Sequence, residues 1–371
     1  MRKAVRKALL ILNEAGQEAF IVGGAVRDKL LNKKIKDYDI ATSATPEEIK
    51  EIFSAYKTID IGKKYGTTIV LIDNFPIEIT PYRLEEDYYD HRHPSKVTYT
   101  YSLFDDLKRR DFTINALCLN YNNELIDLFN GKEDLDKKII RCIGDPDQRF
   151  KEDALRILRA IRFSSNYNFG IEKNTLKALF DNAELLNYIS IERKRDELLK
   201  ILDSNSPSYY LNKYHDILKT FINFKKCSNR IDNFSSPYFK LAYLLKDDIK
   251  QIEELKLAND KIKLIYELDN ANRIRINNDK SFINLFSDCI YENEIIKFLS
   301  EKYQKTMYFR YHRLKKYMVN KKNLDIKGKD LIALGYHNKD ISLITNEIIE
   351  KIRNKKLKNN HRDIIKYLKE R

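Results

Sequence analysis

Short apolar runs bounded by turn residues dominate the first third of the chain. Four of them have the length and composition of β-strands: AFIVGG, DYDIAT, GTTIVLI and PIEIT. VRDKLL and TPEEIKEIF have helical spacing instead, and the second carries a complete start signal in Thr45, Pro46 and Glu48. The pattern therefore predicts a small sheet with helices interleaved between its strands.

A helical period takes over further along the chain. LFNGKEDLDKKIIRCIG predicts a turn, a helix and a short strand, and amphipathic helices are expected at 152–163, 173–186 and 190–203 and onward to the end. Eight of the ten glycines lie within the first 170 residues, and five of the seven prolines lie before residue 150. This distribution predicts an α+β first part followed by a long, nearly all-helical second part.

The N-terminal stretch MRKAVRKALLILNEAGQEAF has only a superficial likeness to a targeting peptide. Glu14 and Glu18 interrupt it and its apolar positions fit an amphipathic helix, so we expect a first structural helix. No apolar run approaches the roughly 18 residues needed to cross a bilayer, as is expected of a soluble protein. The four scattered cysteines fit free thiols in the cytoplasm rather than a disulfide framework or a zinc site.

Positive charge is concentrated toward the C-terminus. The 371 residues carry a net charge of +14, and residues 301–371 contain 20 lysines and arginines against 8 acidic residues. A basic end on such a protein favours a polyanionic partner such as nucleic acid. The alternative is a composition rich in lysine, asparagine and isoleucine that simply places lysine on every exposed face.

Two aspartates, Asp37 and Asp39, lie two residues apart in the predicted strand DYDIAT. Alternation along a strand would place both carboxylates on one face, where they repel each other unless a cation lies between them. Magnesium prefers such hard oxygen ligands and keeps positions open for phosphate oxygens. The pair therefore predicts a Mg²⁺ site suited to phosphoryl transfer, although the same pattern on a solvated strand end is common.

A glycine turn precedes this pair. In IVGGAVRD a strand runs into Gly23 and Gly24 and then into a helix, so that the backbone could approach a phosphate closely. Arg27, one turn into the helix, adds a guanidinium fork for phosphate oxygens. Gly-Gly before a helix is a weak signal alone, but together with DYDI it predicts a nucleoside triphosphate held against a metal pair.

GGAVRD followed by DYDIAT resembles the first motif of the nucleotidyltransferases of the DNA polymerase β superfamily. The resemblance is closest to the bacterial class II tRNA nucleotidyltransferases (CCA-adding enzymes) and to bacterial poly(A) polymerases. Further family motifs follow in order: the flexible loop and RRD motif in YRLEEDYYDHRHPSKVTYTYSLFDDLKRRDFTINAL, the linking segment DLFNGKEDLDKKIIRCIGDP, the EDxxR helix in RFKEDALRILRAIRF and the ERxxxEL helix in ISIERKRDELLKIL. The resemblance is strong over residues 18–203 and faint over 205–320, where only helicity agrees.

The resemblance implies an architecture of four parts. These are a polymerase-β-like nucleotidyltransferase head at 1–145, a helical neck for nucleotide recognition at 146–203, a helical body at 204–270 and a basic helical tail at 271–371. The tail of the family binds the tRNA elbow, and KGKDLIALGYHNKDISLITNEIIEKIRNKKLKNNHRDIIKYL resembles its C-terminal segment. Five of its cations could contact phosphates, although a solvated helix face explains any one of them equally well: Lys351, Arg353, Lys355, Lys356 and Lys358.

Within the head, the resemblance assigns Arg110 and Asp111 of the RRD motif to the sugar and phosphates of the incoming nucleotide. Without the family, a surface ion pair at a helix start would be the better explanation of these two residues. Glu78 in PIEIT is a candidate third metal carboxylate, since the superfamily often has one, but a glutamate at a strand end needs no such explanation.

The predicted helix 152–163 carries four polar residues at successive i+3 steps: Asp153, Arg156, Arg159 and Arg162. Cytosine and adenine each present an amino donor beside a ring-nitrogen acceptor, whereas uracil and guanine present the reverse. A carboxylate only accepts and a guanidinium only donates, so an Asp153–Arg156 pair would select C and A without a nucleic-acid template. We expect Arg159 and Arg162 to hold this pair or to reach the phosphates, and Glu152 to orient one of the arginines. An amphipathic helix with i,i+3 ion pairs is the alternative.

Together these features predict template-independent addition of C, C and A to the tRNA 3′ end from CTP and ATP. Mg²⁺ would be the cofactor and the tRNA 3′-hydroxyl the nucleophile. The alternatives are an A-adding specialist or poly(A) polymerase of the same family, and a non-catalytic RNA-binding scaffold. Segment 83–94 is expected to be a full-length, polar, mobile loop, in which Asp90 and Arg92 match the acidic and basic positions of the family.

Overall fold

The computed structural model describes residues 1–61, 66–88, 94–273, 278–303, 306–337 and 339–371, and at 86–88 it describes the backbone only. Contacts divide the chain into two compact units, Met1–Ile222 and Asn223–Arg371. The predicted head and neck therefore belong to one unit. Its boundary lies beyond the predicted end of the neck at residue 203, because the helix Pro207–Lys213 packs against two helices of the neck.

A seven-stranded mixed sheet is the framework of the first unit. The described part of this unit has eleven strands, of which β6 with β7 and β10 with β11 form two separate two-stranded sheets. They are β1 Ala19–Val22, β2 Asp39–Thr42, β3 Lys57–Ile61, β4 Thr67–Ile72, β5 Phe75–Pro81, β6 Arg83–Tyr88, β7 Pro94–Tyr99, β8 Leu117–Leu119, β9 Leu125–Asp127, β10 Ile139–Ile140 and β11 Gly170–Ile171. The order in the large sheet is β3-β4-β5-β2-β1-β8-β9, and β2 and β5 pair in parallel. The mixed sheet expected from the sequence is confirmed.

Helices surround this sheet and continue beyond it. They are α1 Lys3–Glu14, α2 Gly24–Leu30, α3 Pro46–Ile52, α4 Leu103–Lys108, α5 Gly131–Asp136, α6 Pro146–Glu152, α7 Leu155–Tyr167, α8 Lys173–Asp181, α9 Ile191–Leu202, α10 Pro207–Lys213 and α11 His215–Leu218. The predicted start of α3 is confirmed, since the Thr45 hydroxyl accepts from the Glu48 N–H at 3.3 Å and the Glu48 carboxylate accepts from the Thr45 N–H at 2.7 Å.

The N-terminal segment is a structural helix, as predicted. α1 fully buries Val5, Ala8, Leu9 and Leu12, which have the i, i+3, i+4, i+7 spacing of one helix face. In the parts of the chain that the structure describes, no helix is long and apolar enough to cross a bilayer.

The second unit is helical over its described residues, as the low glycine content predicts. Its helices are α12 Pro237–Leu244, α13 Gln251–Glu254, α14 Asn259–Arg273, α15 Asp279–Ser287, α16 Glu292–Tyr303, α17 Thr306–Leu314, α18 Gly328–Ala333, α19 Lys339–Arg353 and α20 His361–Lys369. The last three pack around a buried apolar cluster that includes Leu331, Ile348, Ile352 and Ile364.

The prediction of one helix over 152–163 is wrong at its start. α6 ends at Glu152, Asp153 has an extended backbone (φ −136°, ψ 99°), and α7 begins at Leu155. The Asp153 carboxylate accepts from the Leu155 N–H at 3.1 Å, so this side chain caps α7 instead of lying within it. The expected helix 173–186 likewise ends at Asp181 and continues as a 3₁₀ turn, Ala183–Tyr188.

Two further predictions need correction. The strand expected over DYDIAT begins only at Asp39, so Asp37 precedes β2. Segment 83–94 is not a loop throughout, because β6 pairs with β7 in an antiparallel hairpin, favoured by the β-branched and aromatic residues of VTYTY. Asp90 and Arg92 lie outside the described residues.

Candidate active site

One cavity in the first unit, of about 850 Å³, brings most of the predicted site residues together. Its lining consists of Gly23, Gly24, Arg27, Asp39, Arg83, Glu85, Pro94, Arg109, Arg110, Asp111, Asn115, Asp153, Arg156, Arg159, Arg162, Phe163 and Arg193. Nine of the ten predicted site residues are in this lining, and Asp37 is the exception. Because eight arginines face four carboxylates, we call it the arginine cavity.

The turn between β1 and α2 has a backbone that glycine adopts most easily. Gly23 has φ +68° and ψ −125°, and its N–H donates to the Leu117 carbonyl at 3.3 Å. A Cβ added at Gly23 would lie 3.4 Å from Arg110 Nη1. The turn therefore runs close beside that guanidinium, and α2 begins directly after it at Gly24.

Arg27 is buried and is held from several directions. Its Nε and Nη2 donate to Asp28 Oδ1 at 3.0 Å each, and its Nη1 donates to Asn115 Oδ1. The guanidinium also lies over the rings of Phe163 and Tyr167, 5.1 and 4.7 Å from their centroids. Arg27 thus presents a positive charge to the cavity from a fixed position.

Asp39, the first residue of β2, is the aspartate of the predicted pair that lines the cavity. It is in register with Glu78 on the parallel strand β5, so the two side chains lie on one face of the sheet. Burial, and then the charges of Glu78 and Asp37, raise the pKa of Asp39 to about 6 against the opposing charge of Arg110. Within the described ranges, no set of three or more histidine, cysteine or carboxylate side chains is already arranged to hold a metal ion.

Asp106 anchors the RRD segment, although sequence reasoning did not identify it. This residue of α4 is fully buried and accepts from Arg109 Nε at 3.0 Å, from Arg109 Nη2 at 2.7 Å and from Arg110 Nη2 at 3.0 Å. Burial opposes the charged form, but Arg110 and Arg109 outweigh it and lower the pKa of Asp106. The i,i+3 and i,i+4 spacing to these arginines was the available signal. Arg110 Nε is enclosed and has no partner among the described residues, which leaves a donor for a ligand.

Asp111 holds two other groups of the cavity. Its Oδ1 accepts from the Phe112 N–H at 2.8 Å and from Asn115 Nδ2 at 2.9 Å, and its Oδ2 accepts from Arg159 at 2.8 Å (Nε) and 2.6 Å (Nη2). Burial would raise the pKa of Asp111, but Arg159 and the hydrogen bond from Asn115 lower it to about 2. Asn115, which sequence reasoning also missed, therefore connects Asp111 to Arg27.

Arg156 is buried at the start of α7 and is bonded to both the neck and the head. Its Nη1 donates to Glu152 Oε2 at 3.0 Å and to the Arg149 carbonyl at 3.1 Å, while Nη2 donates to the Arg109 carbonyl at 2.8 Å. Glu152 also accepts from Arg149 Nη1 at 2.7 Å. The sequence predicts that Glu152 orients one of the arginines, and in the structure its carboxylate accepts from Arg156 as well as from Arg149.

Asp153 and Arg162 have partners on α9. Asp153 Oδ2 lies 3.4 Å from Arg193 Nη2, and Arg162 Nε lies 3.0 Å from Glu197 Oε2. The ring of Phe163 lies 4.1 Å from the Arg162 guanidinium. The four polar residues predicted at i+3 steps therefore all line the arginine cavity, each through its own contacts.

Matches to two protein families cover much of the first unit. The family described as Poly A polymerase head domain matches residues 19–141, and the family described as probable RNA and SrmB-binding site of polymerase A matches residues 168–216. The fold and the first match place residues 19–141 in the class of Poly A polymerase head domains, and the second match adjoins this region on the C-terminal side.

Individual relatives extend the comparison. The CCA-adding enzyme of Bacillus subtilis is 35% identical over 362 residues, which cover 90% of this chain and 89% of that protein. The CCA-adding enzyme of Lactobacillus helveticus is 52% identical over 193 residues, and here the chain spans about half the length of its relative (48%) and matches over 52% of its own. The crystal structure of the Bacillus stearothermophilus CCA-adding enzyme in complex with CTP has a TM-score of 0.83 at 27% identity, covering 100% of this chain and 98% of that one. This chain belongs to the family of CCA-adding enzymes.

Proposed function

We propose that this chain adds C, C and A to the 3′ end of tRNA from CTP and ATP, without a nucleic-acid template and with release of pyrophosphate. The observation that carries this proposal is the arginine cavity, where a glycine turn, a carboxylate of the sheet and the Asp153–Arg156 segment face one space. A nucleoside triphosphate is strongly negative, and eight arginines against four carboxylates give the cavity the opposite sign.

The phosphates would lie beside the glycine turn. Gly24 brings the backbone close, Arg27 supplies a fixed guanidinium, and Arg110 offers its Nε, to which no described residue is bonded. The tRNA 3′-hydroxyl is the nucleophile at the α-phosphate, and pyrophosphate leaves. Holding the reacting groups in line in this way is most of what a protein contributes to phosphoryl transfer.

The carboxylates beside the sheet fit Mg²⁺. Their donors are oxygen atoms only. Burial and then the charges of Glu78 and Asp37 raise the pKa of Asp39, and a bound divalent cation would offset both effects. Asp37 and Asp39 would hold the ion, with Glu78 as a further oxygen donor. When bound, Mg²⁺ would neutralise phosphate charge and favour ionisation of the attacking hydroxyl.

The base would be selected by Asp153 and Arg156. The carboxylate accepts from the amino group of cytosine or adenine, and the guanidinium donates to the adjacent ring nitrogen. Uracil and guanine would set a carbonyl against the carboxylate and an N–H against the guanidinium, which leaves buried polar groups unsatisfied. Glu152 and the Arg109 and Arg149 carbonyls hold Arg156 for this task.

The tRNA would contact both units. Its 3′ end enters the arginine cavity, and the basic C-terminal helices bind the elbow through the phosphate backbone, in the manner usual for duplex RNA. We place the reaction in the cytoplasm, where thiols stay reduced, because all four cysteines are free.

Single-nucleotide assays on defined tRNA ends test the proposal. With CTP alone, a transcript lacking CCA should gain two nucleotides and stop, and with ATP alone a transcript ending in CC should gain one. An A-adding specialist would fail the first assay, and a poly(A) polymerase would add many A residues to an unrelated RNA. If no nucleotide is incorporated, a non-catalytic RNA-binding scaffold is the remaining alternative.

A further inference from the structure

Tyr167, the last residue of α7, contacts α2 of the head, although it is outside the lining of the arginine cavity. Its hydroxyl donates to Asp28 Oδ1 at 2.8 Å, across 139 positions of the chain. The centroid of its ring lies 4.7 Å from the Arg27 guanidinium. A side chain of the neck therefore contacts both the arginine that we propose for the phosphates and the carboxylate beside that arginine.

The ion pair between Arg27 and Asp28 does not fix the guanidinium by itself. Both donors, Nε and Nη2, reach the same oxygen, Oδ1, at 3.0 Å each, so the guanidinium can pivot about that atom. The Asp28 side chain is 21% exposed, and its oxygen keeps one position only if a further group holds it. The Tyr167 hydroxyl donates to this same oxygen and supplies that support.

Two aromatic rings of α7 also hold the guanidinium in place. The rings of Tyr167 and Phe163 stack with 6.2 Å between their centroids, and the Arg27 guanidinium lies 5.1 Å from the Phe163 centroid. Burial raises the pKa of Tyr167 to about 12, against the charge of Arg27. The hydroxyl therefore keeps its proton at neutral pH and remains a donor to Asp28.

We infer that Tyr167 is a positioning residue for binding of the nucleotide phosphates. Tyr167 does not touch the nucleotide itself, but it holds Asp28 and Arg27, and Arg27 contacts the phosphates. This inference rests on the proposed function, since it assigns Tyr167 to the phosphate side of the same site. Because α7 also carries Arg156, one helix both presents the group that selects the base and supports the arginine that binds the phosphates.

Tyr167→Phe removes the hydroxyl and keeps the ring beside Arg27. The dissociation constant of CTP should rise about three- to tenfold, as loss of one supporting hydrogen bond predicts, whereas that of cytidine, which has no phosphate, should stay within about twofold. KM for CTP and for ATP should rise by similar factors, while kcat and the preference for CTP over UTP change little, because Arg27 acts on the phosphates of every nucleotide. Tyr167→Leu also removes the ring and should weaken CTP binding further.

Tyr210→Phe is the matched control, because its hydroxyl donates to Asn168 Oδ1 at 3.0 Å, one residue beyond Tyr167, and Tyr210 is outside the cavity lining. It should leave the ratio of CTP to cytidine affinity unchanged. In an Arg27→Met background, Tyr167→Phe should change the affinity for CTP no further. An unchanged ratio in Tyr167→Phe, equal weakening of CTP and cytidine binding, or the same change in the Tyr210 control would overturn the inference. If the wild type itself binds CTP no more tightly than cytidine and adds neither C nor A, the proposed function fails, and that result is distinct from a failure confined to the variants.

Discussion

Each unit contains a site at which cations outnumber carboxylates, but the two sites hold their charges in different ways. In the arginine cavity, Arg27 and Arg159 are fixed by buried partners, through Asn115 Oδ1 for the first and a two-point contact with Asp111 at 2.6–2.8 Å for the second. In the second unit, one carboxylate, Asp279, faces several cations at the surface: Arg310, Arg313 and Lys355. The Arg313 side chain is 66% exposed.

This difference distinguishes side chains that can recognise a particular base from side chains that only attract a phosphate backbone. Guanidinium groups that are held in place before a ligand arrives can discriminate between hydrogen-bond patterns, since their directions are set by the fold. Exposed cations that outnumber their carboxylate attract a phosphate backbone without discriminating between sequences, and this attraction weakens as the salt concentration rises. Variants in the cavity should therefore change the reaction or its choice of base, whereas variants around Asp279 should change RNA affinity.

The largest expected effect belongs to Asp39. Asp39→Asn keeps the size of the side chain but removes the charge that would hold a divalent cation, so CMP incorporation should fall at least about 10³-fold. Affinity for tRNA should stay within about twofold, because the contacts that we propose for the tRNA backbone lie on the C-terminal helices. Single-turnover incorporation and filter binding at fixed salt measure the two quantities.

Asp216→Asn serves as the control for Asp39→Asn, since this carboxylate is 92% exposed and outside the cavity lining. It should leave both quantities unchanged. Retention of more than about a tenth of the wild-type rate in Asp39→Asn would contradict a catalytic role for the DYDI carboxylates, whatever the tRNA affinity.

Much of the head could be predicted because its signals are local. The glycine turn, the capped helix α3 and the strands β1, β4 and β5 each carry their information within a few residues, and the structure has them where the sequence indicated. The register of Asp39 with Glu78 is not local. It follows from the parallel pairing of β2 with β5, which strand patterns alone do not specify.

The rest depended on contacts between distant segments. Helical spacing predicted a continuous helix through Asp153, but the Asp153 side chain caps α7 and the helix is interrupted there. Asn115 is an ordinary polar residue in sequence, and its role appears only when the fold brings Arg27 to it from 88 positions away. Arg193 acquires its partner Asp153 from the interruption between α6 and α7, 40 positions away along the chain.

An effect of intermediate size is expected for the buried ion pairs of the cavity, whose contribution to the free energy of unfolding should depend on pH. Because the folded pKa of Asp111 is about 2, below its usual value near 4, the ionised carboxylate stabilises the fold above the unfolded pKa. That stabilisation, about 2 kcal/mol, is lost as the pH falls from about 4 to about 2. Asp111→Asn should therefore lower the free energy of unfolding by at least about 2 kcal/mol at pH 7, and the difference should narrow toward pH 3.

Urea unfolding at several pH values between 3 and 7 measures this difference. Asp136→Asn is the control, because its carboxylate is 61% exposed and pairs with the surface side chain of Lys132, and its effect should stay within about 0.5 kcal/mol. A pH-independent loss in Asp111→Asn would mean that Asp111 acts through packing alone, and the contrast between fixed and exposed charges would lose its energetic basis.

The smallest expected effect lies in the second unit. Arg313→Ala and Lys355→Ala together leave Asp279 with Arg310, so the local excess of positive charge disappears while the carboxylate keeps a partner at 3.1 Å. If both cations contact RNA phosphates, the slope of log affinity against log salt should become shallower by about two, and tRNA binding should weaken about three- to tenfold at low salt. Lys7→Ala, a surface change in the first unit, should alter neither value.

The binding of CTP should also be unchanged in the double variant, because the arginine cavity is lined by residues of the first unit. A loss of CTP binding together with tRNA binding would contradict the assignment of nucleotide binding to the arginine cavity and of RNA binding to the cations around Asp279. An unchanged salt slope would instead assign the Asp279 cluster to the stability of its own unit.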